Sequence, residues 1–160
     1  MSGHQHQIIF ERLPDVASLS PSEQELLARA LQATDGAYAP FSRFRVGCAV
    51  RLADGSIHTG NNQENLAFPS ALCAERTVMY HLGSHGLAGE VRTIAIRARS
   101  ELKEIAQPVT PCGACRQVLV EYERMSPEPF VLLMQGASGD ILRMEGVEAC
   151  LLPFAFAIDF

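Results

Sequence analysis

At 160 residues and 17.4 kDa the chain has the length of one domain, and 48% hydrophobic against 19% charged residues supply a packed core and exclude a wholly disordered or collagen-like chain. No apolar run approaches the roughly 20 residues of a membrane-spanning helix, and Met1 to Phe10 lacks the basic-then-apolar order of a secretory signal. Eighteen acidic side chains against thirteen basic ones give a net charge of −5, and the cations are scattered. Arg43 with Arg45 and Arg97 with Arg99 are the densest groupings, so no basic stripe stands ready for phosphate backbones. The expectation is a cytoplasmic protein with neither a nucleic-acid nor a membrane partner.

Residues 1–19 show no sustained periodicity and read as an N-terminal extension to a domain spanning 20–160. Ser20-Pro21-Ser22-Glu23 has the form of a capping box with proline at the first helical position. Leu26, Leu27, Ala30 and Leu31 share a face, which predicts a helix to about Ala33. Phe44, Val46, Cys48 and Val50 alternate as a half-buried strand, and Ala53-Asp54-Gly55-Ser56 turns it back into a second strand around Ile57 to Thr59. A polar loop, Gly60 to Asn65, leads to a helix from about Leu72 to Leu82, capped by Ser70. Val91 to Ala98 is a third strand. Thr110-Pro111 opens another helix that ends before Pro127, and Phe130 to Gln135 and Ile141 to Glu145 are the fourth and fifth strands. A hairpin followed by helix–strand alternation predicts a three-layer α/β/α domain around a mixed five-stranded sheet.

Five cysteines in a chain without an export signal argue for a metal or catalytic role rather than a disulfide framework. Cys112-Gly113-Ala114-Cys115 is a C-x-x-C pair at a helix start, which alone fits a redox dithiol equally well. Cys73 also begins a helix, and Glu75 follows two residues later. Helix N-termini favour thiolates, and three thiolates suit zinc. A structural zinc takes a fourth protein ligand. Cys48 on a strand's apolar face and Cys150 beside Val147 and Leu151 read instead as small buried hydrophobes, and no histidine neighbours the three cysteines in sequence. Three ligands beside a carboxylate describe a catalytic zinc with one open position. Spacing alone leaves Glu75 equally readable as an ordinary first-turn glutamate.

Cys73-Ala74-Glu75-Arg76-Thr77 together with Pro111-Cys112-Gly113-Ala114-Cys115-Arg116-Gln117-Val118 resembles the signature of the small, homotetrameric cytidine deaminases, a variant of the zinc-deaminase pattern H-x-E…P-C-x-x-C with Cys73 in the histidine's place. Ala37 to Phe44, Val46-Gly47, Asn62 to Asn65 and Leu151-Leu152-Pro153 extend the similarity over roughly residues 21 to 157. The resemblance implies zinc held by Cys73, Cys112 and Cys115, activating water for attack on C4 of cytidine or 2′-deoxycytidine. It makes Glu75 the proton shuttle and Arg76 the principal cation balancing the thiolates, leaving Arg116 a solvated helix arginine. Asn62 and Glu64 become ribose ligands, Phe44 the aromatic beside the base, and the backbone near Ala74 and Cys112 the holder of the base edge. Its implied setting is pyrimidine salvage.

The sequence departs from the family on the sugar side. Phe68 stands where tyrosine is frequent, Leu66 is bulkier than usual, and Phe154 occupies a position often held by glycine. At the end of the chain Phe154, Phe156, Ile158 and Phe160 alternate, so an extended tail puts all four on one face, and such a face commonly marks association. Periodicity equally allows a tail folded back on its own core. The resemblance implies the former, in a homotetramer where Phe156 reaches a neighbour's active site. Three rivals make distinct demands. Against a deaminase acting on nucleic acid or another nucleobase stand the net charge of −5, the absent basic stripe and the Asn62–Glu64 loop; a structural zinc module wants four protein ligands; a redox protein wants Cys112 and Cys115 as a reactive pair.

Overall fold

A computed structural model describes residues 4–158; residues 1–3 and Phe160, the last member of the alternating tail, lie outside the described residues. The sheet has six strands, not five. In chain order they are β1 (Glu11–Leu13), β2 (Phe44–Leu52), β3 (Ile57–Asn61), β4 (Val91–Ser100), β5 (Val131–Gln135) and β6 (Ile141–Glu145), arranged β1-β6-β5-β4-β2-β3. Only β4 and β5 run parallel, and the helix between them supplies the crossover that parallel pairing requires. The unexpected strand comes from the segment set apart as an extension. Three residues are too few to show alternation, and β1 is an edge strand recruited by partners: it pairs antiparallel with β6, Arg12 meets Asp140 at 2.5 Å and Glu11 meets Arg143 at 2.9 Å.

Helix α1 (Pro21–Ala33) carries the expected capping box, Ser20 and Glu23 each bonding the other's backbone N–H. Its Leu26, Leu27 and Ala30 pack on Ala49, Ala95 and Leu133, with Leu19 joining them. The other face of the sheet is covered by α2 (Ala74–Ser84), α3 (Gly113–Glu123) and a short α4 (Val147–Leu151), whose Val78, Leu82, Leu119 and Val147 meet Ile94, Ile96, Leu132 and Met134. Three layers result. Among the described residues no helix is long and apolar enough to cross a membrane.

Two glycines let a helix sit close on each face of the sheet, and the second of them positions the site. A Cβ on Gly47 would lie 2.0 Å from the Ala30 carbonyl, and one on Gly60 would lie 2.8 Å from the Ala74 carbonyl. The second contact seats the first turn of α2 directly on β3. Glu123, at the end of α3, organises the opposite edge: its carboxylate accepts the backbone N–H groups of Phe130, Val147 and Glu148 at 2.8–3.0 Å. That carboxylate thereby starts both β5 and α4, and α4 leads into the C-terminal tail.

A candidate metal centre at two helix starts

Helices α2 and α3 each begin one residue after a cysteine. Cys73 is the N-cap of α2 and Cys112 the N-cap of α3, so the starts expected at Leu72 and at Thr110-Pro111 move inward, and Phe68–Ser70 forms a separate 3₁₀ turn in place of a Ser70 cap. A serine or aspartate cap would bond its own helix amides. Neither cysteine does so, which leaves both sulfurs free while the positive ends of two helices point toward them.

Cys115 lies one turn into α3 and is buried. The three sulfurs all lie within 4.8 Å of one another, with Cys73 to Cys112 at 3.8 Å and Cys112 to Cys115 at 3.5 Å. Thiolates on a tetrahedral zinc, with bonds of about 2.3 Å, sit roughly 3.8 Å apart, so the donor set fits the metal in both chemistry and spacing. Among the described residues no further histidine, cysteine or carboxylate joins the group. That argues against a closed four-ligand structural site. Cys73 being as near to Cys112 as a metal cluster requires also argues against a simple Cys112–Cys115 dithiol. Cys48 and Cys150 are buried elsewhere, and burial followed by the nearby Glu75 charge pushes the Cys48 thiol well up, as suits an inert core residue.

The electrostatics of the cluster follow from its crowding. Cys73, taking a hydrogen bond from the Cys115 thiol and, against some burial, further ones from Arg76 and Cys112, is brought down to about 5. Cys115 is pushed far up by donating to that thiolate, by burial and by the Glu75 charge. Arg76 lies at the rim, its Nη2 3.9 Å from the Cys73 sulfur and 3.3 Å from the Ala71 carbonyl, with Nε buried and unpartnered. Arg116 departs from the solvated reading: it is half-buried and donates to the carbonyls of Pro111 at 2.9 Å and Leu151 at 3.2 Å.

Glu75 is 4% exposed. Burial raises its carboxyl above the ordinary value, with the Cys73 charge adding to the rise. An ordinary first-turn glutamate faces water; this one forms part of a cleft of about 600 Å³ together with Cys73, Cys112, Phe44, Asn62 and Glu64. With Arg76 also in the lining, seven of the sequence-predicted residues thus converge on one cavity. Cys115 sits behind them. Ala74 is wholly buried, its methyl in the core and its backbone at the first turn of α2.

The cleft wall holds two findings that the sequence did not reveal. Asn62 accepts from Val46 N–H at 2.7 Å and donates to the Phe44 carbonyl at 2.9 Å, so its amide extends the β2–β3 pairing beyond the last backbone rung. Glu64 accepts from Phe41 N–H at 2.8 Å and Ser42 N–H at 3.3 Å. Desolvation pushes its carboxyl up, but the hydrogen bonds from Ser42 and Phe41 together outweigh it and hold the carboxyl below the usual range. Phe68 lines the cleft, its ring edge-on to Phe41 at 5.8 Å, while Leu66 is 83% exposed and outside it. Val109 and Thr110 also line the cleft; Thr110 directly precedes Pro111-Cys112, and that adjacency was the one signal for it.

Phe156 is not in this cleft. The tail turns at Pro153-Phe154 and then runs irregularly, with Phe154, Phe156 and Ile158 all outward and exposed.

Residues 20–127 match the family model described as the cytidine and deoxycytidylate deaminase zinc-binding region. A cytidine deaminase of Halalkalibacterium halodurans is 40% identical over 136 residues, covering 85% of this chain and 95% of its own. One from Mycobacterium tuberculosis is 41% identical over 97 residues, 61% of this chain and 68% of its own. Among solved structures, the cytidine deaminase of Burkholderia pseudomallei superposes with a TM-score of 0.72 at 34% identity, covering 82% of this chain and 97% of that one. With the matched region enclosing both cysteine motifs and Glu75, the chain belongs to the cytidine and deoxycytidylate deaminase family.

Proposed function

We propose that this chain converts cytidine, and 2′-deoxycytidine with it, to the corresponding uridine and ammonia. The observation that carries the reading is a buried carboxylate, Glu75, sharing one cleft with Cys73 and Cys112 below and with Asn62 and Glu64 on the wall. Family membership and relatives named cytidine deaminase support it.

In this reading Cys73, Cys112 and Cys115 hold zinc, which when bound supplies Lewis-acid activation of water. Arg76 offsets part of the thiolate charge. Glu75, made a better base by burial, takes one proton of the attacking water and delivers it to ring N3, then carries the remaining proton of that water from the new C4 hydroxyl to the departing amine. A C4–O bond forms, the C4–N bond breaks, and nothing is oxidised or reduced. The backbone at Ala74 and Cys112 holds the base edge, and Phe44 packs beside the ring. Glu64 keeps lone pairs free beyond those facing Phe41 and Ser42, so it can accept from a sugar hydroxyl while Asn62 frames the loop. Phe68 offers the sugar no hydroxyl, which concentrates hydroxyl recognition on Glu64.

The exposed Phe154, Phe156 and Ile158 support assembly into a homotetramer in which Phe156 closes the pocket of an adjacent subunit. The net charge of −5 favours a free nucleoside over nucleic acid, and pyrimidine salvage in the cytoplasm is the matching setting. The test is the ultraviolet change on mixing zinc-replete protein with cytidine, run beside a cytosine-containing single-stranded oligonucleotide and a metal assay. Turnover of the nucleoside alone, with one zinc per chain, is expected; turnover confined to the oligonucleotide sinks the reading.

A further inference from the structure

Two consecutive residues that follow the Cys115 ligand both grip the C-terminal tail. Arg116 donates to the Leu151 carbonyl at 3.2 Å. Gln117 does more: its Nε2 donates to the Phe156 carbonyl at 2.9 Å, and its Oε1 accepts from the Phe156 N–H at 3.0 Å. Between these grips Leu152 and Ala155 pack partly buried against the core, while the rings of Phe154 and Phe156 remain 93% and 71% exposed. A carboxamide carries donor and acceptor in one plane, so it pairs with a residue's N–H and C=O as a neighbouring strand would. No regular secondary structure holds this stretch. Within the chain, the register of the tail is therefore set by side chains of α3.

We infer that Gln117 is the positioning residue for Phe156: by clamping the Phe156 backbone to the helix that starts at the metal centre, it fixes the direction in which the ring leaves the subunit. The inference rests on the reading that Phe156 closes an adjacent pocket. A ring on an unclamped tail reaches the same place for only part of the time, and the apparent affinity of the closed pocket falls by that fraction. Gln117 itself is not among the residues that line the cleft.

Gln117→Met keeps the length of the side chain and removes both hydrogen bonds. Its expected effect is a KM for cytidine raised about tenfold with kcat less affected, the size two modest hydrogen bonds would give, and zinc content and tetramer mass unchanged. Adding Gln117→Met to Phe156→Ala is expected to cost nothing further, since the residue then has no ring to position. Gln117→Glu, which keeps the acceptor and loses the donor, is expected to lie between wild type and Gln117→Met and serves if the latter folds poorly. The chain has no tryptophan, so Phe156→Trp gives a single reporter. Its emission is expected to be blue-shifted in the assembly and to move to the red when Gln117→Met is added.

Normal kinetics in Gln117→Met beside an impaired Phe156→Ala would overturn the inference and leave the pocket-closure reading standing. Losses that multiply in the double variant, zinc lost from Gln117→Met, or an unmoved tryptophan emission would also overturn it, assigning Gln117 to the helix rather than the tail. Normal kinetics in Phe156→Ala would strike down the closure reading itself, and this inference with it.

Discussion

The floor and the wall of the cleft are both polar, yet their side chains are held in different ways. On the floor, Cys73 and Cys112 cap helices without bonding to them, and the closest sulfur partners are one another. Glu75 is buried there at the cost of a raised carboxyl pKa. The fold gains little from these groups. On the wall, Asn62 and Glu64 bond backbone that the fold needs: Asn62 continues the β2–β3 ladder, and Glu64 ties down the turn at Phe41 and Ser42. Chemistry and architecture are separate on the floor and shared on the wall. Substitutions are expected to divide along that line.

The largest effect belongs to the floor. Glu75→Ala is expected to keep zinc, lower turnover by at least about 10²–10⁴-fold, and leave the melting temperature equal or higher, because a buried ionisable group is removed. Turnover measured against metal content checks the first part and calorimetry the second. Near-normal turnover in the zinc-replete variant breaks the assignment; a collapsed melting temperature breaks the contrast with the wall.

Asn62→Ala comes next and should show both effects at once. It strands the Val46 N–H and the Phe44 carbonyl, which costs about 1–3 kcal/mol when such groups are left without partners, and it raises KM by disturbing the loop. Glu64→Ala is expected to raise KM with a smaller loss of stability, since the amides it releases lie near solvent. Urea unfolding of the two variants beside their KM values checks this. Equal stability losses would mean that Glu64 is as structural as Asn62.

The same division explains what could be read in advance. Floor residues announce themselves by local spacing: Cys73 with Glu75, and Cys112 with Cys115, sit on first helical turns where a fixed offset fixes geometry. The hairpin and α1 were legible for a similar reason, since Asp54-Gly55 and Ser20-Pro21-Ser22-Glu23 are local signals. What escaped depends on partners distant in sequence. β1 exists because Arg143 and Asp140 receive its charges. Glu123 looks like any surface glutamate until α4 and β5 present three amides to it. Arg116 and Gln117 read as helix polar residues, and only the return of the tail across α3 makes them anchors. Asn62 drew notice as a sugar ligand because the family match pointed there, while its service to β2 is a matter of register.

The smallest expected effect sharpens the comparison from outside the cleft. Glu23 sits on α1, across the sheet from the metal centre, where it completes the capping box and bonds Arg143 at 2.9 Å. Desolvation pushes its carboxyl up, but hydrogen bonds from Ser20 and Arg143 outweigh it, and the folded value lies below the ordinary one. A carboxyl depressed on folding contributes stability that is fully present above its unfolded pKa, about 4.3, and is lost as pH falls through the folded value. Glu23→Gln keeps a capping-box side chain at this position and removes only the charge. Its stability is expected to trail the wild type by about 0.5 kcal/mol at neutral pH, with the gap closing below pH 4. Because Glu23 lies far from the floor, the pH profile of deamination is expected to coincide in the two proteins. A gap that persists undiminished at pH 3 would show that Glu23 acts through geometry rather than charge, and a shifted activity profile would show that the two faces of the sheet are electrostatically coupled after all.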